Sequence, residues 1–290
     1  MRLDRLISLG LVQPVGRAFG GFSPTPPPTG VRRLPILMYH SIEDDPEPGR
    51  ADYYKVCTSP ARFAEQMQWL ANRGYRGVTL SEGIAALQGT ATPPAKLVAI
   101  TFDDGFRDFH TAAFPVLQRH NFTATMYLPT AFIGRDRQKF KSRECLTWDE
   151  VAALQKAGHE FGAHTVNHPR LAELSWADIE TELHQSKITI ERELGVPVRS
   201  FAYPYDYPQT DQPFVTRFRE LLSKLGYHSS VTTIIGRARP DAKFLELPRL
   251  PANSADDEAL FAAKLSGAYD WVARLQTLSK KIGLRLRPKN

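Results

Sequence analysis

Leu97-Val98-Ala99-Ile100-Thr101-Phe102-Asp103-Asp104-Gly105 is the stretch on which the reading of this chain turns. The run from Leu97 is apolar without alternation, the pattern of a strand buried on both faces in a parallel sheet. It ends on two carboxylates and a glycine. A second string, Glu160-Phe161-Gly162-Ala163-His164-Thr165-Val166-Asn167-His168-Pro169, has the same plan, with two imidazoles four residues apart after a strand-like stretch.

Adjacent strand residues point to opposite faces, so Asp103 and Asp104 could not reach one point from a regular strand. At the strand's end Gly105 frees the backbone to turn, and the two carboxylates can approach a site from different sides. Such geometry suits unequal roles. One carboxylate and two imidazoles make a three-ligand set that leaves a position open on a divalent metal. The spare carboxylate can then act as general base toward water. Either string alone also fits a solvated turn or structural histidines. Together, each closing a strand, they point to a metal-dependent hydrolase.

Working outward, strand signals at 36–39, 77–80, 97–102, 123–128, 160–163, 200–203, 228–232 and 245–247 alternate with helix signals. The helices read at 59–74, through 109–117 with Pro115 near its middle, from the capping box Thr147-Trp148-Asp149-Glu150 to Gly158, and at 175–194. This alternation predicts an α/β chain with a parallel sheet, best fitted by a distorted (β/α) barrel with both motifs at the carboxyl ends of strands. Residues 1–33 read as an N-terminal tail with the polyproline-type linker 23–30. Residues 34–290 read as a single domain with a basic C-terminal tail.

The two motifs resemble the first two of the polysaccharide deacetylases, the NodB-homology or carbohydrate esterase 4 family, over roughly residues 35–252. The resemblance implies that Asp103 is the catalytic base. It implies that Asp104, His164 and His168 hold a divalent metal, usually zinc, and that the reaction removes N-acetyl groups from amino sugars. Ser200-Phe201-Ala202-Tyr203-Pro204-Tyr205-Asp206 looks like the third motif, which lines the groove and offers a backbone amide to the oxyanion; Tyr205 is the candidate donor, with Pro204 and Tyr203 beside it. Ala202 stands where the family has the arginine that orients its base, and Asp206 where it has a glycine. Arg249, in Leu247-Pro248-Arg249-Leu250, is the candidate substitute for that arginine. The family's late histidine is missing, since no histidine follows His228. His40, ending Ile36-Leu37-Met38-Tyr39-His40, resembles the N-terminal general acid of the branch that deacetylates poly-β-1,6-N-acetylglucosamine.

Composition sets wider bounds. The chain has 290 residues, 42% hydrophobic and 23% charged, as expected of a globular protein with a full core. Cys57 and Cys145 read as free thiols rather than a disulfide framework. The net charge of +6 gathers partly at the ends, in Arg2, Arg5, Arg17, Arg32 and Arg33 and in the stretch 280–289. No basic-aromatic interleaving points to nucleic acid; the basic termini are candidates for peripheral contact with an anionic membrane surface. The apolar stretch 6–12 is far shorter than the roughly 20 residues a span needs, and as a signal peptide it is weak. Together these predict a cytoplasmic location or one at the inner membrane face. An amide hydrolase of a non-sugar substrate, or a non-catalytic glycan-binding protein on the same fold, are the competing functional readings. The sequence leaves the oligomeric state open.

Overall fold

The computed structural model describes residues 4, 7–12, 33–44, 47, 49–50, 55–90 and 96–281. The proline-rich linker and the basic C-terminal stretch beyond Lys281 lie outside them. The strands are β1 (Ile36–Tyr39), β2 (Tyr75–Val78), β3 (Lys96–Phe102), β4 (Thr125–Leu128), β5 (Lys139–Phe140), β6 (Arg143–Glu144), β7 (Glu160–Ala163), β8 (Ser200–Ala202), β9 (Ser229–Ile235) and β10 (Leu247–Pro251). Seven of them close a ring in the order β1-β10-β9-β8-β7-β4-β3, with β3 pairing back to β1 and all pairs parallel. β2 shares an edge of β3 with β4: Tyr75–Val78 lie against Lys96–Ala99, and Thr125 and Met126 take over at Thr101 and Phe102. The expected (β/α) barrel is what the chain forms.

Strand parity sorts the core into two layers. Ile36, Ala99, Tyr127, Ala202, Val231 and Leu247 cluster within the barrel. Their neighbours Leu37, Ile100, Met126 and Phe201 instead join the helix residues Phe63, Met67, Leu70 and Leu183 in the outer layer. Thr101 and Asp103 follow the parity of Ala99, and Arg249 follows that of Leu247, so polar groups stack on apolar ones inside the barrel towards its carboxyl end. Gly162 is required by close packing there: a Cβ would stand 2.5 Å from the Tyr127 ring. Its absence lets that ring cross the interior to share a hydrogen bond with Ser200 Oγ at 2.7 Å.

Outside the barrel, Ser59 caps the helix Pro60–Asn72 and Thr147 forms the expected capping box with Glu150 on Trp148–Lys156. Pro115 lies in the first turn of Phe114–Arg119, restarting a helix after the π-type turn Phe109–Ala113. Trp176–Leu194 closes on Gly195 at φ +68, a conformation that favours glycine. Among the described residues four α-helices had no reading in the sequence: Leu80–Leu87, which opens with a capping box of Thr79 and Glu82, Gln212–Lys224, Glu258–Ser266 and Trp271–Lys281. The last strand is displaced from the expected 245–247 to Leu247–Pro251 because Phe244–Glu246 winds into a 3₁₀ turn. Described parts of the N-terminal tail rest on the domain, Trp271 Nε1 donating to Ser8 Oγ at 2.9 Å and Tyr269 Oη to Asp4 at 2.6 Å. Among the described residues no helix is long and apolar enough to cross a membrane.

His159 carries a test of this packing. Its buried ring lies edge-on to Phe109 and Phe114, and Nδ1 accepts from the Ala124 amide at 3.2 Å. Burial lowers the imidazole to about 4. The unfolded chain therefore binds the extra proton first, so the stabilisation is complete above about pH 6.5 and is lost as pH falls towards 4. Urea titration should find wild type losing on the order of 2 kcal/mol more than His159→Gln between about pH 7.5 and pH 5; equal losses would contradict the assignment.

Candidate active site

The carboxyl ends of β1, β3, β7, β8 and β10 bring the candidate residues together. After Phe102 the chain turns: Asp103 keeps the inward parity, while Asp104 at φ +74 and Gly105 at φ +64 reverse direction. A Cβ on Gly105 would also meet Ile133 at 2.9 Å. Thr165, His168 and Tyr205 are likewise non-glycine residues at positive φ. Strain of this kind persists where surrounding contacts fix it, and it gathers at sites with a function.

Asp104, His164 and His168 converge. Their ligand atoms all lie within 4.8 Å of one another, and all three residues are buried. Asp104 Oδ1 is 3.5 Å from His164 Nε2 and 3.1 Å from His168 Nε2. His164 Nδ1 is 2.8 Å from the Ala202 carbonyl, which fixes that nitrogen as donor and leaves the lone pair of Nε2 facing Asp104. Thr165 Oγ1 accepts from the His168 amide at 2.9 Å and so holds the loop between the two imidazoles. Burial lowers His168 to about 4, keeping it in the neutral form a metal requires. Burial raises the Asp104 carboxyl, but the imidazoles and Lys141 more than offset this and hold it well below the usual range. Asp104 Oδ1 is buried without a well-formed hydrogen bond. An ionised oxygen facing imidazole nitrogens, with no donor of its own, is an arrangement a cation completes. The three residues fit a divalent metal.

Asp103 stands apart from this set. Arg249 Nη1 and Nη2 each donate to one of its oxygens at 2.7 Å, a bidentate pair buried inside the barrel. Arg249 Nε is anchored on the Thr232 carbonyl at 3.0 Å and Nη1 also reaches Thr101 Oγ1 at 3.2 Å. Burial raises the Asp103 carboxyl, but the guanidinium prevails and holds it below its ordinary value. His40 Nε2 lies 4.0 Å from Asp103 Oδ2. Its ring is lowered by burial, against the pull of Asp103 and Asp104.

The third motif divides by parity. Tyr203 follows Phe201 outward and packs edge-on against Phe218 and Tyr207, at 5.3 and 4.9 Å. Tyr203 is thus a core residue and does not line the groove, a correction to the sequence expectation; Pro204 is buried too. Tyr205 is exposed, at 39%, with its ring 4.5 Å from that of His168. Cys57 and Cys145 are buried free thiols that burial pushes up to about 12, so neither offers a thiolate nucleophile. Sequence reading overlooked Lys141. The hairpin β5–β6 has no strong turn signature, yet it delivers Lys141 Nζ to 3.0 Å from Asp104 Oδ2.

The closed parallel barrel thus carries a buried, arginine-paired carboxylate beside a separate Asp-His-His donor set at one end. The family model for polysaccharide deacetylases matches residues 90–229 of the chain. YxkH of Bacillus subtilis (strain 168), provisionally named a polysaccharide deacetylase, is 28% identical over 235 residues, covering 80% of this chain and 75% of that one. The poly-β-1,6-N-acetyl-D-glucosamine N-deacetylase of Escherichia coli (strain K12) is 36% identical over 140 residues, 45% of this chain, which spans only 20% of the longer relative. In structure, the Streptococcus pyogenes deacetylase PplD, solved with acetate, matches at a TM-score of 0.69 and 28% identity over 81% of this chain and 99% of PplD.

Proposed function

We propose that this protein is a metal-dependent deacetylase that hydrolyses N-acetyl groups of an amino-sugar polysaccharide or oligosaccharide, releasing acetate and a free amine. The observation that carries this reading is the Arg249–Asp103 pair beside the Asp104, His164 and His168 donor set. A non-catalytic reading draws on the missing arginine and glycine of the third motif, at Ala202 and Asp206; a guanidinium entering from β10 onto Asp103 answers the first of these.

Asp104, His164 and His168 would hold the metal, zinc by the character of the donors. When bound, it supplies Lewis acidity to the acyl oxygen and to the attacking water. Asp103, kept ionised and oriented by Arg249, takes the proton from that water. The Tyr205 amide donates to the oxyanion as the carbonyl becomes tetrahedral. His40, across from Asp103 at the end of β1, gives a proton to the leaving amine. Names of the relatives support a glycan substrate for this chemistry, and PplD with its bound acetate supports the expected product.

Acetate and free amine released in equal amounts from an N-acetylated oligosaccharide would test the reading; none from a metal-loaded protein would refute it. The role of His40 has its own check. His40→Ala should depress kcat strongly on an acetamide and much less on a matched O-acetyl ester, because an alkoxide leaves with less need of protonation. Equal losses on both substrates would remove His40 from the acid role.

A further inference from the structure

The catalytic assignments leave one part of the barrel mouth unused. Two cations stand over the exposed Tyr205 ring, the Arg170 guanidinium 4.5 Å and the Lys141 ammonium 5.5 Å from its centroid. Arg170 directly follows His168-Pro169, and Lys141 occupies the β5–β6 turn at φ +48, with the Phe140 ring 4.5 Å from its ammonium. Arg170 is exposed and has no ion-pair partner among the described residues. Among the described residues the ion-pair partner of Lys141 is Asp104, a member of the donor set, and a divalent cation held there would repel the ammonium and leave it without that countercharge. Two acids on neighbouring segments have cations of their own. Asp206 pairs with Lys280 at 2.6 Å and Glu43 pairs with Arg143.

We propose that Tyr205, Lys141 and Arg170 form a subsite for a sugar carrying an anionic substituent, carboxylate or phosphate, next to the acetamide to be cleaved. This rests on the deacetylase reading for what is cleaved, but the subsite follows from its own geometry. The exposed Tyr205 ring holds both cations at the mouth by cation–π contact. The guanidinium and the ammonium supply a planar donor fork and a mobile point charge, the two ways proteins hold carboxylates and phosphates. The chemistry of the product points the same way. Each turnover turns a neutral acetamide into an ammonium, so a mouth with two uncompensated cations repels a glycan rich in free amines. A glycan whose own anions balance those amines is not repelled.

The test is equilibrium binding of three matched N-acetylglucosamine disaccharides to the metal-loaded full chain, by calorimetry at low salt. One is neutral, one has a neighbouring uronic-acid carboxylate and one a neighbouring phosphate. At least one anionic disaccharide should bind about tenfold more tightly than the neutral one, with the advantage shrinking as salt is added. In Lys141→Met/Arg170→Gln the ratio should fall towards one, and Lys141→Arg should restore most of it in the single variant. The two anionic arms decide between carboxylate and phosphate. Equal binding of all three by wild type, or a preference that survives the double variant, would overturn the proposal. Acetate release is read in parallel: charge-dependent binding without acetate refutes the deacetylase reading and leaves the subsite standing, whereas acetate without charge preference does the reverse.

Discussion

Asp103→Asn lowers turnover of an acetamide substrate by about 10²- to 10⁴-fold, while the metal content stays at the wild-type level. The expectation follows from the separation of the two carboxylates by a single backbone turn. Asp104 is swung to positive φ and faces the imidazoles, whereas Asp103 stays inside the barrel against Arg249. An amide at position 103 keeps the volume and one acceptor for the guanidinium, but it has no carboxylate to take a proton from water. Only the base is removed. Metal analysis beside steady-state rates is the check: a variant that lost its metal would make Asp103 a ligand and force the two aspartates to exchange roles.

Arg249→Met should be costly for both stability and activity. The guanidinium is fully buried and satisfies both Asp103 oxygens, while its remaining donors reach Thr232 and Thr101. Methionine fills much of the space but leaves a carboxylate buried without its partner, which typically costs about 3–5 kcal/mol. The sign of the pH effect follows. Burial alone raises the Asp103 carboxyl, and only the guanidinium brings it below its ordinary value. Without Arg249 the base therefore protonates at higher pH, and the acidic limb of kcat/KM should move upward. Arg249→Lys would restore charge but not the two-pronged geometry, so its rescue should be partial. Wild-type stability in urea together with an unmoved acidic limb would show that the pair matters little.

The barrel was legible because buried parallel strands leave unbroken apolar runs, as at Leu97–Phe102, and because capping residues such as Ser59 and Thr147 announce their helices. Leu80–Leu87 escaped notice although Thr79 and Glu82 have the same capping pattern, since the apolar run before it extended the strand reading over its first residues. In the site, the Asp-Asp-Gly and His-x-x-x-His strings carry their own ligand and base chemistry in residue type and spacing. Arg249 and Lys141 do not. Arg249 reaches Asp103 across 146 positions of sequence, and only barrel closure with inward parity makes the contact. Lys141 depends on a hairpin with little turn signature. Tyr203, named beside Tyr205 in the third motif, turns into the core instead because β8 ends at Ala202 and the chain bends at Tyr205. Residue type and spacing within each string showed the donor set, whereas Arg249 was reached only as a substitute for the arginine that the family resemblance led one to look for, and its contact with Asp103 depends on closing the ring.

The central claim is that Asp104, His164 and His168 hold the metal on which deacetylation depends. Its most direct test follows metal and acetate together in wild type and in His164→Ala/His168→Ala, each stripped with chelator and then returned to zinc. Wild type should take up about one ion per chain and release acetate from an N-acetylated amino-sugar oligomer only when loaded, and the double variant should do neither. Full metal occupancy and acetate release in the double variant would contradict the account.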